Sequence, residues 1–302
     1  MCEKYQFISA QRKDYPVEQL CNVLGVSRSS YYAYRNGMTY ATTVKEQEEI
    51  KQVCELFTLH RRRYGSRRMA KALQQKGVKI GRFKVRRLMH KQSLKAIQPK
   101  SFVPKTTNSK HKLGYAPNVL AEMDFPSEPN AVYVGDITYL PTTHGQWLYL
   151  NVWIDLFSRS VVGWKVDTHM GESLVVDSLS QAVHKRNPDK GLIIHSDRGG
   201  QYAGAAFKAE LSRHHCIQSM SGADNPYDNA YAESFFSRFK AELLQKGAFE
   251  NLADAKTEIF SYIEMYYNTQ RLHSGLDYAS PAQHEAQYYA CNKAERDAFV
   301  RC

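Results

Sequence analysis

Gly191-Leu192-Ile193-Ile194-His195-Ser196-Asp197-Arg198-Gly199-Gly200 reads as a short buried strand that delivers a carboxylate and paired glycines to its C-terminal edge. That edge is where open α/β sheets bind their ligands. Just before it, residues 172–186 predict an amphipathic helix with Leu174, Val175, Leu179, Ala182 and Val183 on one face. Further back, residues 131–140, 147–155 and 159–167 are rich in β-formers and joined by turn residues, which predicts a three-stranded antiparallel meander. Downstream, residues 205–214 and 216–220 read as another helix and strand. Residues 221–226 are a loop of turn formers, and a long helix is expected from about Asp228. This order predicts an α/β fold with a mixed five-stranded sheet and flanking helices. It also puts Asp136 in the first strand, Asp197 after the fourth and Glu233 on the late helix, three places that such a sheet can bring together.

The chain has 302 residues and a formal net charge of +11, unevenly placed. Between Phe57 and Ala121 there are 18 Lys and Arg and no Asp or Glu, so the remainder is net acidic. Charge runs are ordinarily solvated faces, but this one is interleaved with apolar residues at helical spacing, which points to a polyanion such as nucleic acid. No apolar run approaches the roughly 20 residues of a membrane span, and the first residues lack a signal-type apolar core, so a membrane or secreted protein is not expected. The six cysteines, at 2, 21, 54, 216, 291 and 302, contain no C-x-x-C pair. Reduced thiols and a cytoplasmic location fit that pattern.

In the N-terminal third, Val17, Leu20, Cys21 and Leu24 recur at helical spacing, Gly25 can supply a left-handed turn, and Ser27 can cap a second helix. That is a helix-turn-helix pattern, with Arg28 on the second helix facing outward. A second helical pair follows, Gly65 to Leu73 and about Arg82 to Gln92, with Arg67, Arg68, Arg82, Lys84, Arg86 and Arg87 as candidate DNA contacts around the stripe of Val85, Leu88 and Met89. The expected division is helix-turn-helix at 1–40, basic helical DNA-binding unit at 41–97, linker at 98–130 from its four prolines, catalytic core at 131–290, and tail at 291–302.

Gly-Asp-Ile-Thr-Tyr-Leu (135–140), Asp-Leu-Phe-Ser-Arg (155–159), His-Ser-Asp-Arg-Gly-Gly-Gln-Tyr (195–202), Asn-Pro-Tyr-Asp-Asn-Ala-Tyr-Ala-Glu-Ser-Phe-Phe (225–236) and Tyr-Asn-Thr-Gln-Arg-Leu-His-Ser (267–274) carry a resemblance. Together they resemble the DDE transposase and retroviral-integrase superfamily, in particular the second-frame transposase of two-frame bacterial insertion sequences. The resemblance covers most of the chain and implies a ribonuclease-H-like core in which Asp136, Asp197 and Glu233 are catalytic and bind divalent metal. It implies Mg²⁺, two ions, with Mn²⁺ able to substitute. It further implies double-stranded DNA as partner (transposon ends and target), a homo-oligomer on DNA, and an upstream-frame protein or frameshift fusion, with no membrane. Tyr133 stands where members of the family often carry tryptophan.

The chemistry is intelligible from the residues. In-line phosphodiester cleavage needs an activated nucleophile and a stabilised leaving oxygen, which two Mg²⁺ ions can supply, and such hard cations take carboxylate oxygens rather than Cys or His. Lys240 lies two turns beyond Glu233 on the same helix face and is a candidate DNA contact; the resemblance implies the same role. His195, Asn229, Arg271 and His273 are possible accessory residues. His195-Ser196-Asp197-Arg198 also spells the H-x-x-R of a tyrosine recombinase, and a non-catalytic DNA-binding regulator is a further alternative. The resemblance implies a DNA transposase that carries out metal-dependent strand cleavage and 3′-OH strand transfer at terminal inverted repeats.

Overall fold

The computed structural model describes residues 2–37, 43–99, 114–222, 230–244 and 247–299. Strand β1 (Val132–Pro141) lies at the centre of a sheet whose order is β3-β2-β1-β4-β5. It pairs antiparallel with β2 (Trp147–Asp155), which pairs antiparallel with β3 (Val161–Asp167). On its other side β1 pairs parallel with β4 (Ile193–Ser196), and β4 pairs parallel with β5 (Ile217–Met220). A meander followed by parallel strands, centred on the first strand, is a ribonuclease-H-like sheet, as the element order predicts.

The pleat of β1 sends alternate side chains to two cores. Val132, Val134 and Leu140 join one cluster, and Tyr133 joins the other. Gly135 has no room for a side chain because the ring of Trp153 lies where its Cβ would stand. Both sheet edges are blunted against further pairing. The side-chain amide of Asn268 both donates to and accepts from the main chain of Val161 at 2.9 Å, and Met220 N donates to the Pro117 carbonyl at 3.2 Å.

The N-terminal helices α1 (Cys2–Gln11), α2 (Val17–Leu24) and α3 (Arg28–Arg35) enclose a small core of Tyr5, Ile8, Cys21 and Tyr31. Gly25 takes the left-handed conformation (φ 62°) and Ser27 caps α3 through Ser30 N, so the turn predicted from sequence forms. Helices α4 (Val44–Leu59), α5 (Ser66–Gln75) and α6 (Arg82–Lys91) follow.

This second unit does not stand apart from the sheet. Val53, Leu56, Phe57, Met69, Leu73, Val85 and Leu88 belong to the same apolar cluster as Val134, Leu150 and Val152. Tyr64 OH donates to the Gln270 carbonyl and Arg68 Nε to the Leu272 carbonyl, at 3.1 and 2.8 Å.

Helices α7 (Glu172–Arg186), α8 (Gly200–Ala203) and α9 (Ala205–Arg213) cover the opposite face of the sheet. Helix α10 (Ala230–Leu243) lies over β1 on the first face, burying Phe235, Phe236 and Phe239. Helix α11 (Leu252–Phe260) continues into a π-helical turn (Ser261–Tyr267), and α12 (Pro281–Phe299) closes the chain. Predicted and observed bounds coincide for the 172–186 helix and the 147–155 strand and differ by one or two residues for most other core elements. Helices α1, α4 and α12 and the π-helical turn are not anticipated by the sequence. Helix α12 also runs through the boundary drawn at residue 290. Of the expected linker, residues 100–113 lie outside the described residues; Val119–Glu122 forms a 3₁₀ turn against β5, with Leu120 N donating to Ser219 Oγ at 3.3 Å.

Candidate active site

Asp136 and Asp197 stand on adjacent parallel strands, since Gly135 pairs with Ser196 one residue before each. The pleat turns Asp136 toward the face that α10 covers, the face of Val134. Glu233 sits in the first turn of α10 and is exposed. Asp136 is within electrostatic reach of both Asp197 and Glu233. Burial first, then the charges of Asp197 and Glu233, push Asp136 up to about 8, while the Ile137 N–H and the Lys240 charge act in the opposite direction. Burial pulls Lys240 down and the Asp136 charge acts against it.

Main-chain geometry fixes two of the acids. Asp136 Oδ1 accepts from Ile137 N at 2.8 Å, and Asp197 Oδ1 accepts from Gly199 N at 2.9 Å. Behind β1, Asn151 is oriented so that its amide donates to the Asp136 carbonyl (3.0 Å) and to Tyr202 (2.7 Å), while its oxygen accepts from Ser178 and Trp153. Tyr202 is pushed well above the ordinary tyrosine range by burial and then by the charges of Asp136 and Asp197. Asn151, Trp153, Ser178 and Tyr202 thus back the first acid, a support the motifs do not announce because its members are spread over three elements.

The other candidates separate. His195 is fully buried on β4, with Nδ1 against Ser219 Oγ at 2.8 Å. Asn229 lies outside the described residues. Arg271 is buried and grips Glu242, so it anchors α10 rather than facing DNA. His273 is half-buried, its imidazole against the Tyr267 ring and its pKa lowered to about 2 by burial and the charges of Arg271, Arg68 and Arg159. Arg67, Arg82, Arg86 and Arg87 are exposed, as expected for DNA contacts. Arg68 and Lys84 have internal partners, the Leu272 carbonyl and Glu49, because their helices pack their inner flanks on the core and on α4. Arg28 is exposed and pairs with Glu18 at 3.1 Å.

Sequence profiles described as Integrase core domain match residues 126–226 and 214–281, and one described as HTH-like domain matches residues 45–102. The chain is 43% identical to the transposase for insertion sequence element IS904 of Lactococcus lactis over 238 residues, 79% of this chain and 92% of the relative. It is 36% identical to the transposase InsF for insertion sequence IS3A of Escherichia coli, over 93% of this chain and 98% of that one. The chain belongs to the insertion-sequence transposases of the IS3 family. A solved HTLV-2 integrase catalytic core domain in complex with magnesium aligns with TM-score 0.41 and 17% identity, covering 53% of this chain and 98% of that one.

The transposase is therefore a DDE-type polynucleotidyl transferase that binds DNA. The HTH-like match falls on the second helical unit, the one fused to the core, rather than on α2 and α3, where the sequence pattern is most legible. No helix among the described residues is long and apolar enough to cross a membrane.

Transposases of this class work with a divalent metal, and the donor set at the head of α10 fits one. It offers carboxylate oxygens, the ligands of hard cations, and it concentrates negative charge that already burdens Asp136. Among the described residues no three His, Cys, Asp or Glu stand close enough to hold one ion together. Asp136 lies in the field of Asp197 and of Glu233, but the three do not form a joint coordination shell.

Proposed function

We propose that Asp136, Asp197 and Glu233 form the catalytic centre of this transposase, acting on the terminal inverted repeats of its element. The observation that carries the reading is the strand register that sets Asp136 beside Asp197, with Asp136 held up to about 8 by burial and by the charges of Asp197 and Glu233. Bound between these carboxylates, two Mg²⁺ ions, or Mn²⁺ in their place, would make water nucleophilic near neutral pH and stabilise the leaving oxygen.

The chain's own groups do the positioning. Ile137 N and Gly199 N each hold one oxygen of an aspartate, and Asn151 pins the main chain at Asp136. Lys240, two turns from Glu233 and in the field of Asp136, is placed to hold a DNA phosphate beside the acids. Water cuts one strand and leaves a 3′-OH, and that hydroxyl then attacks DNA in strand transfer, with no covalent enzyme intermediate.

The exposed Arg67, Arg82, Arg86 and Arg87 supply phosphate contacts, and α3 with Arg28 supplies a second DNA-binding helix. The division at 1–40, 41–97, 98–130, 131–290 and 291–302 serves as a functional one: two DNA-reading units, a strap, the core and a tail. Assembly as a homo-oligomer on DNA, and cooperation with an upstream-frame protein or a frameshift fusion, complete the reading, which places the work in the bacterial cytoplasm on the nucleoid. The tyrosine-recombinase alternative fails on geometry and on family: His195 is buried in the sheet, and Arg198 donates to the Ser221 carbonyl.

Strand cleavage on the element's own ends with Mg²⁺ tests the reading. Asp136→Asn, Asp197→Asn and Glu233→Gln should abolish cutting while keeping DNA binding. Equal cutting by all three variants and the unaltered protein would refute it.

A further inference from the structure

The turn between β2 and β3 holds a cation that the three acids do not use. Arg159 takes a left-handed backbone (φ 62°), which a bulky L-residue adopts only when its surroundings impose it. Here they do. The buried carboxylate of Asp155 accepts from Ser158 N, Ser158 Oγ and Asn130 N at 2.8, 3.0 and 2.6 Å. Arg159 N donates to the Asp155 carbonyl and Asp155 N to the Ser160 carbonyl, both at 2.9 Å.

This turn lays the guanidinium over the ring of Tyr231, 3.8 Å from its centroid, and 5.1 Å from that of Phe125. Both rings are exposed, 38% and 53%. Among the described residues the guanidinium has no hydrogen-bond or ion-pair partner, and Nη1 is shut off from solvent without an acceptor. An arginine whose face is stacked and whose N–H fork is unsatisfied is held ready for an anion. Its charge is felt nearby, adding to those of Arg271 and Arg68 in holding the His273 imidazole neutral.

The place decides which anion. Tyr231 and Glu233 share the first turn of α10, about 3 Å apart along the axis and about 200° apart around it. The buried face formed by Ala232, Phe235 and Phe239 lies between them. Arg159 and Glu233 therefore flank the same helix end, on opposite sides of its buried face. A DNA strand crossing the start of α10 meets both.

We propose that Arg159, held flat by Tyr231 and Phe125, binds a backbone phosphate of the donor strand beside, and distinct from, the phosphodiester that is cut. The proposal rests on Glu233 being part of the catalytic centre.

The test uses the full chain and end-containing DNA in which single methylphosphonates are walked across the cleavage site. In the unaltered protein, one neutral linkage beside the cut, other than the cut linkage itself, should weaken binding about tenfold. Arg159→Ala should bind about tenfold more weakly to normal DNA, show no further loss at that linkage, and lower the salt slope of binding by about one. Arg159→Lys should restore the slope without the full affinity. Should Arg159→Ala fail to fold, Tyr231→Leu must show a partial loss confined to the same linkage. Binding unchanged by Arg159→Ala, or a loss indifferent to which phosphate is neutralised, overturns the proposal. Cleavage by Glu233→Gln is read separately: if that variant cuts, the catalytic reading fails whatever the phosphate map shows.

Discussion

Arg271 grips Glu242 inside the protein, its Nη2 at 2.6 Å from one carboxylate oxygen and its Nε at 3.0 Å from the other. Tyr262 OH donates to the second of these oxygens at 2.9 Å. Burial works against both charges, and each is held by its partner: the guanidinium stays well above its ordinary range and the carboxyl below its own. Glu242 is nine residues beyond Glu233 on α10, so the pair fixes the helix that carries the third acid. Glu242→Ala should destabilise the protein by about 3–5 kcal/mol, because it strands a buried guanidinium. Glu242→Leu combined with Arg271→Met should recover much of that loss in denaturant titrations. A double variant as unstable as Glu242→Ala would show that packing, not charge, sets the cost.

Asp136 gives the opposite sign. A carboxyl raised to about 8 in the fold opposes folding from its ordinary 3.8 up to about 8, since the unfolded chain sheds a proton there that the folded chain retains. At pH 7 in chelator, Asp136→Asn should therefore raise stability by more than about 1 kcal/mol, each displaced pKa unit being worth about 1.4 kcal/mol before screening by water. Mg²⁺ should raise the melting temperature of the unaltered protein and not that of the variant. A variant less stable than its parent in chelator would contradict the crowding of charge at the site.

Stability toward acid depends on a different residue. His60 stacks on Tyr64 with ring centroids 3.9 Å apart, and its buried Nδ1 has no hydrogen-bond partner among the described residues. Burial, then the charges of Lys76 and Arg63, lower its pKa from 6.5 to about 4. Between those values the unfolded chain takes up a proton that the folded chain refuses, so stability present above pH 6.5 is lost as pH falls toward 4. His60→Phe should flatten the fall in denaturation midpoint over that window. Parallel profiles for the two proteins would refute this.

The basic stretch divides into two kinds of residue. Arg67, Arg82, Arg86 and Arg87 face water, so each change to Ala should weaken DNA binding and lower the salt slope by about one with the melting temperature unchanged. Arg68→Ala should instead cost about 1–3 kcal/mol of stability by leaving the Leu272 carbonyl without its donor. Melting curves beside salt titrations separate the two outcomes.

Much of the core was legible from pattern. Enrichment in β-formers between turn residues marked β1 to β3, the Leu192-Ile193-Ile194 run marked β4, and Leu174 to Val183 marked α7. The acids were legible through the motifs around them and the strand order. Longer-range relations were not. The apolar stripe of Val85, Leu88 and Met89 shows that α6 has a buried face but not that the face joins the core of the sheet. Glu242 and Arg271 lie 29 positions apart with no local signal linking them. Arg159 sits in a quoted motif, yet nothing in its sequence reveals a left-handed backbone or a ring beneath its guanidinium.

A calorimetric titration of Mg²⁺ into the protein bound to its end DNA tests the joint role of the three acids most directly. The expected result is a saturable heat shared by all three residues, so that Asp136→Asn, Asp197→Asn or Glu233→Gln each removes most of it. If each substitution removes only its own separate fraction, or none, the three carboxylates do not form one centre.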